Sequence, residues 1–219
     1  EVVSGTTPKS GTSEFWNGDI VWITPTDLGK LRDRHITDSD RKISKAGFEN
    51  CNLTMVPAGS VVLSSRAPIG HLGIAAVPLC TNQGCKTFVP GAEVGSDFLY
   101  HALKRSVWKL QQMGSGATFA EVSKTQLEGF EIPLPPLPEQ KRIASFLNEQ
   151  MVAVERARKA AEKRVAAVNA LPSAYLRAVF PGLDQLLPQG WRWVRLGQVL
   201  RQRKEVIHPR DKPYGQAVF

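Results

Sequence analysis

Two regimes of hydrophobic patterning divide this chain. Through the first 135 residues the apolar runs are short and punctuated by Gly and Pro. Asp19-Ile20-Val21-Trp22-Ile23-Thr24, β-branched and aromatic between Gly18 and Pro25, predicts a strand. Val61-Val62-Leu63-Ser64-Ser65 follows the turn Pro57-Ala58-Gly59 and predicts a second. Gly73-Ile74-Ala75-Ala76-Val77 and Lys86-Thr87-Phe88-Val89, each closed by proline, predict a third and a fourth. Phe130-Glu131-Ile132-Pro133-Leu134 alternates apolar and other residues and predicts a fifth. Between them Phe98, Leu99, Ala102, Leu103, Val107 and Leu110 recur at helical spacing, with Ser96-Asp97 placed to cap that helix. A shorter helix is expected from about Phe119 through Leu127. The expected fold class is α+β: a globular domain of mixed or antiparallel strands, followed by a long α-helix of coiled-coil type.

The second regime begins at a stiff junction. Residues 133–138 read Pro-Leu-Pro-Pro-Leu-Pro, which holds the backbone extended. The next 33 residues, 139–171, contain neither Pro nor Gly and are rich in Ala, Glu, Arg and Lys. They predict one helix spanning about 50 Å at 1.5 Å per residue. Pro138 suits its first turn and Glu139 its dipole. Ile143, Leu147, Val154, Ala161, Val165, Val168 and Leu171 form a heptad-like stripe, with Ala153 and Ala157 filling in. The stripe predicts helix pairing and self-association through residues 143–179, because an apolar face left in water is costly. Packing of the stripe on its own domain is the simpler alternative. Pro172 is expected to kink or restart the helix, and Pro181-Gly182 to end it.

Beyond residue 182 a turn, Leu187-Pro188-Gln189-Gly190, leads into the aromatic and β-branched Trp191-Arg192-Trp193-Val194. Gln198-Val199 resembles Glu1-Val2, so a repeat of about 197 residues is suggested. The expected organisation is a domain over residues 1–135, a helix over 136–182, and over 183–219 the start of a second repeat or a C-terminal stub. The chain opens on Glu1 without a basic or strongly apolar leader. This predicts that it begins inside a longer natural chain and carries no signal peptide. No apolar run approaches a membrane span.

Composition changes the picture less than charge does. The net charge is +8, which favours a polyanionic partner. Its distribution is uneven: residues 1–100 hold nine Lys/Arg against ten Asp/Glu, residues 101–180 twelve against seven, and residues 181–219 seven against three. The first hundred residues are slightly acidic, so charge alone does not mark them as a nucleic-acid binder. Cys51, Cys80 and Cys85 are odd in number and have no zinc-ligand spacing. Reduced cytoplasmic thiols are expected, with no metal and no cofactor.

Several segments, in order, resemble the DNA specificity subunit of type I restriction-modification enzymes. They are Ser4-Gly5-Thr6-Thr7-Pro8-Lys9, Ile23-Thr24-Pro25-Thr26-Asp27-Leu28, Pro57-Ala58-Gly59-Ser60-Val61, Arg66-Ala67-Pro68-Ile69-Gly70 and Thr81-Asn82-Gln83-Gly84-Cys85-Lys86. The junction Ile132-Pro133-Leu134-Pro135-Pro136-Leu137-Pro138-Glu139-Gln140-Lys141-Arg142-Ile143-Ala144 follows, and Leu187 to Val199 resembles the opening of a further domain. The resemblance implies a target-recognition domain reading one half of a split site in double-stranded DNA, then a conserved helix that pairs antiparallel and sets spacing. It implies docking of modification subunits that methylate adenine and, through them, of motor subunits, with a cytoplasmic location. Members carry two such domains, whereas this chain has one and part of another, which reads as a fragment, a natural truncation or a half-length subunit that forms a homodimer through the long helix.

No catalytic centre is legible. Gly-x-Gly-x-x-Gly, the P-loop and the Asn/Asp-Pro-Pro-Tyr/Phe of amino-methyltransferases are absent, and Glu121-x-x-Lys124 matches a nuclease Glu-x-Lys only loosely. Base reading needs Arg or Lys for guanine and Asn or Gln for adenine, and phosphate binding needs cations, hydroxyls or amides. Lys30, Arg32 and Arg34 alternate as on one strand face. Arg66 and His71 flank a rigid turn. Asn82, Gln83 and Lys86 cluster after another. Lys104, Arg105, Lys109 and Gln112 edge a helix, Ser115 and Thr118 lie in a small-residue loop, and Lys124 follows. Each cation reads equally as a solvated surface residue, Asn82-Gln83 as turn formers and His71 as a structural histidine. The competing reading of the whole chain is a coiled-coil scaffold without DNA specificity.

Overall fold

The computed structural model describes residues 1–66, 68–115, 120–182 and 185–200. Two units make up the chain, Glu1–Arg156 and a second beginning at Ala157. The fold is α+β, as expected.

The first unit is built on two mixed sheets. Strands β1 (Val2–Ser4), β3 (His35–Ile36), β5 (Val61–Ser64), β6 (Leu72–Ala75) and β8 (Cys85–Phe88) form the larger, in the order β1-β8-β5-β6-β3. Its pairs are antiparallel except β3 with β6. The smaller sheet has the order β4-β2-β7, from β2 (Trp16–Ile23), β4 (Lys42–Ile43) and β7 (Cys80–Thr81). The four Gly/Pro-bounded runs at 19–24, 61–65, 73–77 and 86–89 thus become β2, β5, β6 and β8, with shifts of one to three residues at their ends.

Burial on both faces explains why β5 reads as a continuous apolar run rather than an alternating one. Val62 joins Val3, Ile23, Ile36, Val56 and Leu79 in one core. Val61 and Leu63, pointing the other way, join Ile69, Leu72, Ile74, Leu99, Leu103, Leu110 and Val122 in a second. That second core is roofed by α3 (Ser96–Arg105), α4 (Val107–Met113) and α5 (Lys124–Glu128). A third core gathers Trp16, Trp22, Ile43, Leu53 and Cys80, and the Arg41 guanidinium lies 3.6 Å from the centroid of the Trp16 ring. The remaining short helices are α1 (Pro25–Lys30) and α2 (Lys45–Asn50).

Four expectations are corrected. The alternating segment at 130–134 is not a strand. Phe130 and Ile132 do pack against the second core, but among the described residues the segment pairs with no strand, and Pro133 lacks a donor. The helix expected from Phe98 to Leu110 is two, broken at Ser106, whose Oγ donates back to the Ala102 carbonyl at 2.8 Å. The Ser96-Asp97 cap is not formed; Gly95 is the N-cap and has no side-chain cap from its own helix. Lys30, Arg32 and Arg34 do not share a strand, because Thr24 and Asp27 form a capping box that starts α1 and carries the chain through Lys30 as helix. The short helix is α5; its expected start at Phe119 lies outside the described residues.

The long helix, α6 (Leu137–Val179), covers 43 residues. It starts within the proline run, as N-terminal prolines permit, and does not restart at Pro172. In the second unit a turn at Gly190 (φ +85°) is followed by extended chain and α7 (Leu196–Val199), with Phe180 and Trp191 in edge contact at 6.0 Å. Of the segment 183–219, residues 183, 184 and 201–219 lie outside the described residues.

Candidate nucleic-acid interface

The predicted polar residues fall into three groups. Arg66, Gln83, Lys86 and Ser115 are gathered about Glu121. Backbone pairing brings them there: Ser65 donates to the Gly84 carbonyl at 2.8 Å, Val122 donates to Ser65 at 3.0 Å, and Ser115 and Glu121 exchange both hydrogen bonds at 3.0 and 3.1 Å. Glu121 Oε1 accepts from Lys86 Nζ at 3.1 Å and Glu121 Oε2 from Arg66 Nη1 at 3.4 Å. Lys86 is buried, and its ammonium also reaches the Gln83 carbonyl at 3.2 Å and Ser65 Oγ at 3.4 Å. All three of its donors are therefore used inside the fold. Gln83 is exposed and accepts from Thr7 Oγ1. Asn82 Oδ1 accepts from the Gly84 amide at 3.0 Å, which makes Asn82 a turn former.

The second group surrounds the end of α1. Lys30 is paired with Asp40, whose hydrogen bond raises the ammonium pKa. Arg34 Nε lies 3.2 Å from Asp97 Oδ1, without the alignment of a hydrogen bond. Arg32 is exposed and has no ion pair among the described residues. His71 follows the tight turn at Gly70 (φ +113°), and its ring lies beside Gly29, 3.3 Å from where a Cβ would stand.

On α3 and α4, Lys104, Arg105, Lys109 and Gln112 are exposed, and the three cations have no carboxylate partner among the described residues. Trp108, missed by sequence reasoning, is 62% exposed beside them, with Lys109 Nζ 5.8 Å from its ring centroid. An exposed Trp in a run of cations was the available signal. Lys124 pairs with Glu128 one turn on. Thr118 lies outside the described residues.

The junction with α6 is held by side chains that the sequence reading passed over. Gln140, 1% exposed, accepts from the Gly95 amide at 2.9 Å and donates at 2.8 Å to the carbonyls of Glu93 and Pro135. The amide at the start of α3 is therefore satisfied from α6. His101 Nε2 and Asn148 Oδ1 are 2.8 Å apart, and Asn148 Nδ2 approaches Asp97 at 3.5 Å. In the sequence Gln140 stood out only as part of the junction motif that follows the proline run. Along the apolar stripe, Ile143 and Leu147 are half-buried beside the buried Ala144. Val154, Ala161, Val165, Val168 and Leu171 are exposed.

The thiols are all free. Burial pushes Cys80 up to about 12 and raises Cys85 further still. No group of three or more His, Cys, Asp or Glu residues suited to a metal occurs among the described residues, and none of their helices is long and apolar enough to cross a membrane.

Comparison with known proteins identifies the family of the chain. The family model for the type I restriction modification DNA specificity domain matches residues 1–161. The MjaIX type I restriction enzyme specificity subunit of Methanocaldococcus jannaschii is 35% identical over 226 aligned positions, covering 98% of this chain and 52% of that protein. The EcoR124I/EcoR124II specificity subunit of Escherichia coli is 27% identical, over 66% of this chain and 37% of its own length. This chain thus spans about half the length of the MjaIX subunit. Among solved structures, a chain from a study of complex assembly and conformational transition in the type I R-M system superposes with a TM-score of 0.62 at 26% identity, over 77% of this chain and 40% of that one. The HsdS subunit of Thermoanaerobacter tengcongensis superposes at 0.56 and 25% identity, over 83% of this chain and 42% of that one. From its opening strands into its long helix, the chain belongs to the type I restriction modification DNA specificity domain family.

Proposed function

We propose that this chain is a non-catalytic DNA-specificity subunit that reads one half of a split duplex target and docks adenine-methylating modification subunits, with motor subunits joining through them. The carrying observation is the 35% identity to a named specificity subunit along 98% of the chain. Local chemistry agrees. The recognition unit keeps Arg32, Arg66, Gln83, Lys104, Arg105 and Lys109 at its surface on short helices and turns, where DNA grooves can be reached. On this reading residues 1–135 recognise DNA, residues 136–182 pair and space, and residues 183–219 open a second recognition repeat. The exposed stripe from Val154 to Leu171 favours a homodimer, which would read an interrupted palindrome.

Methylome mapping with and without the gene tests the proposal. A methylated adenine motif should appear only with the gene, and a dimer should make that motif palindromic. Unchanged methylation, together with no sequence-selective footprint by the chain and its modification partner, would return the chain to the scaffold reading.

A further inference from the structure

The charge cluster at Glu121 holds more cation than closing the fold requires. Lys86 sits between Cys85 and Thr87, both fully buried, and its own side chain is 7% exposed. An ammonium in that position is strongly desolvated and must be fully partnered. Glu121, Ser65 and the Gln83 carbonyl supply that partnering. Lys86 alone therefore neutralises Glu121. Arg66 nevertheless stands on the other carboxylate oxygen, leaving the three side chains with a net charge of +1.

Arg66 differs from Lys86 in having, among the described residues, donors to spare. A guanidinium carries five N–H groups in a rigid fork, and Glu121 engages it through Nη1. The Arg66 side chain is 35% exposed. A carboxylate that holds one edge of a guanidinium restricts its rotamers and leaves the other edge free for a planar acceptor pair. Glu121 is itself immobilised twice, by the buried ammonium and by backbone bridges to Arg66 and Ser115. In duplex DNA the acceptor pair that fits a fixed Arg fork is the O6/N7 edge of guanine.

We propose that Arg66 is a specificity-determining residue that reads a guanine in the major groove, and that Glu121, locked by Lys86, is the positioning residue that aims it. This rests on the DNA-specificity reading above.

The test uses the full chain assembled with its modification subunits and duplexes carrying the motif found by methylome mapping. Each guanine of the half-site is replaced in turn by 7-deazaguanine, which lacks the N7 acceptor. One position should weaken wild-type binding by about tenfold. The same replacement should cost Arg66→Ala, which has no donor left for the base, nothing further, while Glu121→Gln lowers discrimination at that position alone. Arg66→Ala leaves Lys86 to neutralise Glu121, and an unchanged unfolding midpoint confirms that its fold is intact. Equal 7-deaza penalties in wild type and Arg66→Ala at every guanine would overturn the proposal, as would a half-site without guanine. A uniform loss on all sequences, with a shallower salt dependence, would identify a phosphate contact and overturn it too. A wild-type complex with no sequence preference at all would instead sink the DNA-specificity reading, and this proposal with it.

Discussion

Gln140 shows how much one side chain can hold in this fold. Its amide satisfies one half-buried donor and two carbonyls from two separate segments, Glu93–Gly95 and Pro135, so truncation removes the partner of all three. Gln140→Ala should lower stability by about 1–3 kcal/mol, read as a shift in the urea unfolding midpoint; a midpoint within error of wild type would contradict this account of the junction. The cysteines make a second prediction at this scale. The thiolate is the reactive species, and burial raises both Cys80 and Cys85. At pH 8 a small alkylating reagent should therefore modify the partly exposed Cys51 quickly and the other two only on unfolding. Rapid loss of all three thiols in the native protein would be inconsistent with this burial. The sign of the pH effect follows. From the ordinary value of 9.0 up to about 12, the unfolded chain has lost protons that native Cys80 retains, so stability falls with rising pH across that window.

Elements in this molecule are set by local rules until packing overrules them. The capping box on α1 won against the strand-like alternation of Lys30, Arg32 and Arg34 because it satisfies two helix-end groups at once. The alternation at 130–134 turns Phe130 and Ile132 inward but leaves Leu134 exposed, and among the described residues no strand lies alongside to receive its hydrogen bonds. In α6 the interior Pro172 costs a hydrogen bond and crowds the carbonyl four residues earlier. Pro172→Ala should strengthen that stretch by up to about 3 kcal/mol, visible as slower amide exchange over residues 165–179. Exchange no slower than in wild type would mean that the helix does not persist through Pro172 in solution.

For the molecule as a whole, electrostatics and family membership point to one partner but weigh differently. Net charge is +8, yet the first hundred residues are slightly acidic, and several of their cations are spent on Asp40, Asp97 and Glu121. Under the proposed function, DNA affinity then depends on a limited set of free cations and on the basic second half. For an interface of six to ten phosphates, affinity should fall by about 10³- to 10⁵-fold between 50 and 200 mM salt. A nearly flat salt dependence would exclude a phosphate-anchored interface of that size.

The sequence by itself determined the α+β class, four of the strand runs, the Pro-rich junction and the long helix that follows it. These features are local: turn residues, periodicity and the absence of Pro and Gly act within a few residues of chain. It also determined the family, because ordered motifs survive without knowledge of contacts. Only the tertiary structure decided which polar residues are spent internally. Lys86 and Arg66 look alike as surface cations in the sequence, but pairing of β5 with β8 and the bridge to Glu121 bury the first and leave the second partly exposed. Gln140 likewise became a pin because folding brings Glu93 and Gly95 to it across about 45 residues of chain. Burial and ion pairing are properties of contacts distant in sequence, and no local pattern specifies them.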